Sequence, residues 1–136
     1  MNFELSEEQK MIQQSVERFV QENYDLPKRV EISSKDPGYS KDYWGSMAEL
    51  GWLGLPFNEE DGGFGGNQID TLVIMEQFGK GLVLEPFLAN VVLGGGAIQM
   101  GGSEELKKEI LPSLIEGTKQ VTLAYAEQQS RFDLED

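Results

Sequence analysis

The feature that most constrains the fold is the stretch of residues 44–66, WGSMAELGWLGLPFNEEDGGFGG. It begins as a helix, because its apolar residues up to Leu50 recur at helical spacing. Gly51 follows where a helix C-cap favours a residue that tolerates positive φ. A corner comes next, and its closely spaced large apolar side chains predict that it is buried: Trp52, Leu53 and Leu55.

A glycine-rich loop follows this corner, with Gly62, Gly63, Gly65 and Gly66 placed around Phe64. Because glycine has no Cβ, the loop backbone could approach a ligand or another element closely. A plain turn is the alternative, and the sequence leaves both interpretations open.

Helical periodicity accounts for most of the remaining chain. Ser6 and Gln9 predict a capping box at the first helix, over residues 7–23. Pro27 allows a short second segment through Val30. The same periodicity predicts further helices: 41–50, 67–79, a fourth that opens at Glu85 and Pro86, and a fifth that starts at Ser103, is interrupted by Pro112 and closes at Gly117.

The fourth helix, PFLANVVLGGGAIQM, is apolar on nearly all sides, which is typical of a buried helix. Its three consecutive glycines, Gly94, Gly95 and Gly96, each cost roughly 1 kcal/mol of helix stability against alanine. Two explanations are open for this triplet. Either another backbone packs closely against it, or it leaves room for a ligand.

After Lys119 the periodicity changes to alternation, with Val121, Leu123 and Tyr125 on one side, as in a β-strand. A single strand has no partner and is not stable alone. The sequence therefore predicts a helical domain over 1–118 and the start of a β domain, truncated here, over 119–136. Such an unpaired strand is expected to fray or to pair with another copy.

Composition excludes several classes of function. Eleven basic and 24 acidic residues give a net charge of −13, which argues against nucleic acid and anionic membrane as partners. The chain has no histidine and no cysteine, so the commonest general base and transition-metal ligands are missing and no metal site is predicted. The N-terminus is not a signal peptide and no apolar run reaches membrane-span length, which favours a cytoplasmic protein.

No catalytic or nucleotide-binding motif is recognisable from the residues alone. The glycines lack the spacing of a dinucleotide fingerprint, and no strand precedes them. Asp61 does not begin a calcium loop, because glycines occupy two of the ligand positions.

The same central stretch resembles the N-terminal domain of the acyl-CoA dehydrogenases, whose usual form runs W..LAELGWLGL.VPEEYGGLG before an E-E-x-G-R-like helix end. The counterparts here are residues 44–55, Pro56, Glu59, Glu60, residues 62–66, and MEQFGK ending at Lys80. The similarity continues in weaker form over the whole chain.

This resemblance implies an all-α helical bundle that precedes a β-barrel-like middle domain and a C-terminal four-helix bundle. It also implies FAD, bound between the middle and C-terminal domains, and oxidation of acyl-CoA thioesters to 2,3-enoyl-CoA. A glutamate of the C-terminal part removes the α-proton in this family, so no catalytic residue is assigned to this chain. The 136-residue chain alone is expected to be colourless and inactive.

The place of the fourth helix in the family also suggests residues for the substrate cavity. The fourth helix helps to wall the fatty-acyl cavity in the family, which makes four of its residues the candidates: Leu88, Val91, Val92 and Gly95.

The segment VTLAYAEQQ resembles the family form FALTEP.AGSD, which contacts the flavin ring. Glu127 matches its glutamate, whereas Ala126 and Gln128 stand where the family usually has Thr and Pro. Arg131 and Phe132 replace small residues. The hydroxyl contact is therefore lost, and backbone contacts to FAD are expected from two residues: Tyr125 and Ala126.

The ending AEQQSRFDL resembles small subunits of the pimeloyl-CoA and steroid types. This resemblance supplies an alternative, in which the chain is a non-catalytic subunit that pairs with an active partner. The partners implied are acyl-CoA, electron-transfer flavoprotein or a similar acceptor, and other dehydrogenase subunits in a homo- or hetero-oligomer.

Overall fold

The computed structural model describes residues 4–126 and 128–129, and its regular structure is entirely helical. A short 3₁₀ helix, Glu59–Asp61, precedes the fourth α-helix, and a π-helical segment, Leu88–Gly95, runs directly into the fifth. The α-helices within the described residues are α1 Glu7–Asn23, α2 Leu26–Ser33, α3 Lys41–Glu49, α4 Gln68–Gly81, α5 Gly96–Gly101 and α6 Glu104–Ile115. The predicted all-α class is confirmed.

The predicted capping box of α1 is present, with the Ser6 hydroxyl accepting from the Gln9 N–H and the Gln9 side chain accepting from the Ser6 N–H. Gln9 also donates through Nε2 to Asp70 Oδ1 at 2.9 Å, near the start of α4. Eleven residues later, Val20 packs against Gly81 at the end of α4. The two helices therefore run parallel, tied at both ends.

The start of α4 has a second capping box that the sequence analysis missed. The Asn67 side chain accepts from the Ile69 and Asp70 N–H groups, and Asp70 accepts from the Asn67 N–H at 2.7 Å. Asp70 thus caps its own helix and anchors α1, which explains how a carboxylate is tolerated in a largely buried position.

The corner and the glycine loop fold against each other. Gly51 directly follows Leu50, the C-cap of α3, and has a φ of +80°, as is common for the residue after a helix C-cap. Four loop N–H groups donate back to carbonyls of the corner, at 2.8–3.1 Å: Gly63 to Asn58, Phe64 to Gly54, Gly65 to Phe57 and Gly66 to Leu55. A Cβ on Gly63 would lie 2.2 Å from the Phe57 carbonyl oxygen. The loop therefore approaches its own corner closely, and these donors are not available to a ligand.

Pro112 does not interrupt the last helix, contrary to the sequence prediction, because α6 continues through it to Ile115. Proline removes one helical hydrogen bond. Its neighbours Leu111 and Leu114 are fully buried, so their packing holds this turn in place.

The core lies where α1, α3, α4, the π-helical segment and α6 meet around the apolar corner. Edge-to-face aromatic contacts link its parts, such as Phe78 with Phe87 at 5.3 Å between ring centroids. The most deeply buried apolar side chains are Val16, Met47, Leu53, Phe57, Val73, Ile74, Phe87, Val91, Leu111 and Leu114.

The strand predicted from Val121 onward is not formed in the described residues, since 119–126 has no partner strand there. The Val121 N–H instead donates to the side chain of Asn90. Glu127, Arg131 and Phe132 lie outside the described residues. The division at residue 118 and the pairing with another copy stay predictions.

Candidate functional site

An apolar groove of about 480 Å³ runs between α4 and the helix formed by the π-helical segment and α5. We call it the groove. Its lining comes from both helices and from the apolar corner: Pro56, Phe57, Gln68, Thr71, Leu72, Met75, Leu88, Val91, Val92, Gly96, Gln99 and Met100.

The spacing of residues along the two helices explains which side chains form the two walls of the groove. Leu88, Val92 and Gly96 are four residues apart and therefore share one side of their helix. Leu72 and Met75, three apart, face them from α4. The walls are well exposed, since Leu72 is 64% and Leu88 50% exposed.

Core residues form the floor of the groove, because Phe57 and Val91 line it while being 1% and 0% exposed themselves. Gln99, at the groove, is hydrogen-bonded to two backbone groups that follow the corner. Its Oε1 accepts from the Asn58 N–H at 2.9 Å, and its Nε2 donates to the Pro56 carbonyl at 3.4 Å. The floor of the groove is therefore part of the packed core, and Gln99 links it to the corner.

The lining residues that the structure describes include no charged side chain, although the chain has a net charge of −13. Its polar members are two glutamines and one threonine. Volume and lining match sites for elongated apolar ligands, which gain free energy in proportion to the apolar area they bury. The groove offers no positive group for an anion.

A comparison with known protein families identifies the family of this chain. Residues 6–118 fit the model described as "Acyl-CoA dehydrogenase, N-terminal domain". The chain belongs to the acyl-CoA dehydrogenase family. This result confirms the resemblance that the central stretch carries.

Relatives agree with this family membership. A probable acyl-CoA dehydrogenase of Bacillus subtilis, YngJ, is 34% identical over 87% of this chain and 31% of its own length. A solved acyl-CoA dehydrogenase complexed with FAD, from Bacillus anthracis, is 32% identical, with a TM-score of 0.74 over 86% of this chain and 20% of that one. The ChsE4–ChsE5 complex from Mycobacterium tuberculosis shares the fold, with a TM-score of 0.86 at 23% identity, over 95% of this chain and 35% of that one. The chain thus spans about a third of the length of relatives such as YngJ.

Within this acyl-CoA dehydrogenase domain, the structure brings Leu88, Val91 and Val92 together at the groove. It does not bring Gly95 there. A Cβ on Gly95 would lie 2.5 Å from Phe57 Cζ and 3.2 Å from Leu114 Cδ1, so Gly95 faces the core. At Gly96, no atom lies within 4 Å of the corresponding position apart from its chain neighbours and its own helix backbone, and this residue lines the groove.

The two predicted flavin contacts, Tyr125 and Ala126, lie away from the groove and are exposed. Within the described residues, no hydrogen bond engages their backbone groups. This absence fits the backbone contacts that the family resemblance implies for FAD at these two residues. Ala126 has no hydroxyl to offer.

Sequence reasoning missed the α4 wall of the groove, because it used the apolar residues of 67–79 only to predict a helix and assigned none of them to a site. A signal was present. Helix α4 has apolar residues on two sides: Val73 and Ile74 are buried, whereas Ile69 and Leu72 are more than half exposed. A second apolar side indicates a second contact surface.

A buried carboxylate lies near the entrance of the π-helical segment. Glu85, 6% exposed, accepts hydrogen bonds from the Tyr24 hydroxyl and, at 3.1 Å, from the Ser40 N–H. Desolvation by burial raises the pKa of Glu85, against the opposing effect of backbone hydrogen bonds from Ser40, Glu85 itself and Leu84. Arg29 lines the adjacent recess but donates its Nε to the Leu82 carbonyl. Glu85 therefore joins α1, α3 and the next helix, away from the groove lining.

Two negative findings apply to residues 4–126 and 128–129. They contain no group of three acidic, histidine or cysteine side chains arranged to hold a metal ion. They also contain no helix that is both long and apolar enough to cross a membrane.

Proposed function

We propose that this chain is the N-terminal domain of an FAD-dependent acyl-CoA dehydrogenase that oxidises acyl-CoA thioesters to 2,3-enoyl-CoA, and that its groove forms one wall of the acyl cavity. The observation that carries the proposal is the uncharged, partly open groove in a strongly acidic domain of this family. Homo- or hetero-oligomerisation and a flavoprotein electron acceptor are proposed from the family resemblance.

The chemistry of the groove suits the hydrocarbon tail of the substrate and not its coenzyme. Each buried methylene contributes about 0.8 kcal/mol. Leu72, Leu88 and Val92 offer the apolar area for this burial. The coenzyme carries several negative charges, and a domain of net charge −13 repels them. Other parts of the enzyme therefore bind the coenzyme.

FAD in the complete enzyme supplies the hydride acceptor, and a relative from Bacillus anthracis binds it. In this chain, the exposed backbone groups of Tyr125 and Ala126 would contact it. No residue here is assigned the role of general base.

The experiment substitutes Gly96 in the complete flavoprotein. Gly96→Leu places a side chain in the groove, since its Cβ position is open. We expect kcat/KM for the longest accepted acyl chains to fall by roughly fourfold for each methylene displaced, with short chains affected much less. Gly95→Leu is the matched control, because its side chain would enter the core.

The control is expected to lower the melting temperature while the chain-length profile keeps its shape. A Gly96→Leu enzyme with a wild-type profile would contradict the proposal. So would a Gly95→Leu enzyme that loses only its long-chain substrates.

One observation favours a second candidate, a non-catalytic subunit that pairs with an active dehydrogenase. Ala126 removes the hydroxyl that the family usually offers to flavin at this position. Counting FAD per chain in the purified complex separates the candidates. One FAD for every copy of this chain supports the enzyme, and FAD held only by the partner's sites supports the subunit.

A further inference from the structure

Asn90 is an unusual residue for the interior of this helix bundle. It lies in the π-helical segment and is 1% exposed. Its Oδ1 accepts a 2.6 Å hydrogen bond from the Val121 N–H, 31 residues away in sequence. Its Nδ2 is buried without a hydrogen-bond partner in the described part of the chain.

Burying this amide is costly for stability alone. An unsatisfied buried donor destabilises a fold, and an apolar side chain of similar shape would not. The hydrogen bond to Val121 is the interaction that the residue gains in return. Asn90 therefore binds the backbone of the segment after α6.

Gly94 holds the same segment from the next turn. A Cβ on Gly94 would lie 2.8 Å from Val121 Cγ2 and 3.1 Å from the Val121 carbonyl atoms. The backbone of the segment thus lies directly on the helix at this glycine. Only a residue without a side chain permits this approach.

Two more contacts fix how the segment reaches Asn90. The Trp44 Nε1–H donates to the Gly117 carbonyl at 3.1 Å. The Tyr39 hydroxyl lies 3.2 Å from Gln120 Oε1. The segment is therefore held by hydrogen bonds along residues 117–121, and Thr122 and Leu123 continue beside the end of α5.

We propose that Asn90 and Gly94 form a seat that sets the path of residues 121–126, which makes Asn90 a positioning residue for the flavin-contacting backbone of Tyr125 and Ala126. The seat lies on the core side of the helix, whereas the groove lies on its open side. This inference rests on the proposed function, because that function assigns flavin contacts to these two residues. The seat itself follows from the contacts of Asn90 and Gly94.

Amide hydrogen exchange in this chain tests the seat independently of flavin. Asn90→Leu removes both the acceptor and the unsatisfied donor, and Gly94→Ala pushes the segment outward. We expect the Val121 amide to exchange roughly threefold to tenfold faster in both variants, as for loss of one ordinary hydrogen bond. Gly79→Ala, at an exposed position of α4 where a Cβ meets no neighbour, should leave this rate unchanged apart from any global change in stability. The buried amide of Ile74 reports any global loss of stability.

FAD affinity of the complete flavoprotein tests the positioning role. We expect Asn90→Leu and Gly94→Ala to weaken FAD binding by roughly tenfold, since two backbone contacts depend on the path of the segment. Visible circular dichroism of the bound flavin should change in both variants and not in Gly79→Ala, which lies outside the groove lining. The melting temperature of Asn90→Leu should stay near that of the wild type.

Unchanged exchange at Val121 in Asn90→Leu would overturn the seat. Faster exchange combined with unchanged FAD affinity and flavin spectrum would overturn the positioning role. A lowered melting temperature with normal FAD affinity would mark Asn90 as merely structural. If the wild-type complete protein bound no FAD, the proposed function would fail, whereas the seat would still be judged by exchange.

Discussion

The two sides of the helix from Leu88 to Gly101 have opposite surroundings although they share one sequence of small and apolar residues. On the core side, Gly94 and Gly95 lie against Val121 and Phe57, with no room for a methyl group. On the groove side, Gly96 has open space. One glycine triplet therefore serves two purposes, close packing at its first two positions and free volume at its third.

This difference teaches that a glycine's role in a helix depends on the side it faces, and not on its neighbours in sequence. Successive residues in an α-helix point about 100° apart. Gly95 and Gly96 can thus lie against different surfaces. The predictions below test whether the two sides are as distinct as their contacts indicate.

The largest effect is expected at Phe57, which contacts the core side at Gly95 and also floors the groove. Phe57→Ala should lower the free energy of unfolding by about 3–5 kcal/mol, because it leaves a cavity in the core. Urea denaturation measures this loss. Phe64→Ala is the matched control, since that ring is 60% exposed. Equal losses in the two variants would contradict the burial assigned to Phe57.

Gly95→Ala should give the next largest effect, a loss of about 1–3 kcal/mol from overpacking against the Phe57 ring. Gly96→Ala should instead raise the free energy of unfolding by up to roughly 1 kcal/mol, because alanine favours the helix and meets no neighbour. Denaturation of both variants checks the sign of each change.

A double variant sharpens the same comparison. Phe57→Leu shortens the side chain that the new methyl group would meet, so Gly95→Ala should cost less in its presence than alone. Strict additivity of the two losses would show that Gly95 and Phe57 are not in contact.

Glu85 is a buried side chain that lies shortly before the helix from Leu88 to Gly101. The effect of substituting it on stability is expected to depend on pH. Burial raises the pKa of Glu85 above its ordinary value of 4.5. Its stabilising contribution is therefore fully present below that value, where the group is protonated in both states. It is lost as pH rises through the raised folded-state pKa.

Glu85→Gln removes this titration. The difference in free energy of unfolding, wild type minus Glu85→Gln, should fall as pH rises from the ordinary carboxyl pKa of 4.5 through the raised folded-state pKa. Denaturation at several pH values measures it, with the exposed Glu22→Gln as the control for loss of one negative charge. A difference that grows with pH would show that Glu85 is stabilised as the anion.

Much of the fold could be predicted from local chemistry. Ser6 with Gln9 set the start of α1, Gly51 set the end of α3, and helical periodicity set the class. Pro112 was misjudged because its local effect is disruptive, whereas the burial of its neighbours is a tertiary effect that periodicity does not show.

Only one of the two walls of the groove could be predicted from the sequence. Family position suggested Leu88, Val91 and Val92, and the structure places all three at the groove. The opposite wall depends on how α4 packs, and Gly95 differs from Gly96 only through its contacts with Phe57 and Leu114. Such contacts arise between segments distant in sequence. A single sequence does not reveal them.

The most direct test of the groove as an acyl-cavity wall is photolabelling of the complete flavoprotein with an acyl-CoA that carries a diazirine at the end of its chain. We expect mass spectrometry to find the label on peptides containing Leu72, Leu88, Val92 or Met100, with competition by unlabelled acyl-CoA and less label in Gly96→Leu. Competed label found only outside residues 56–100 would contradict the account.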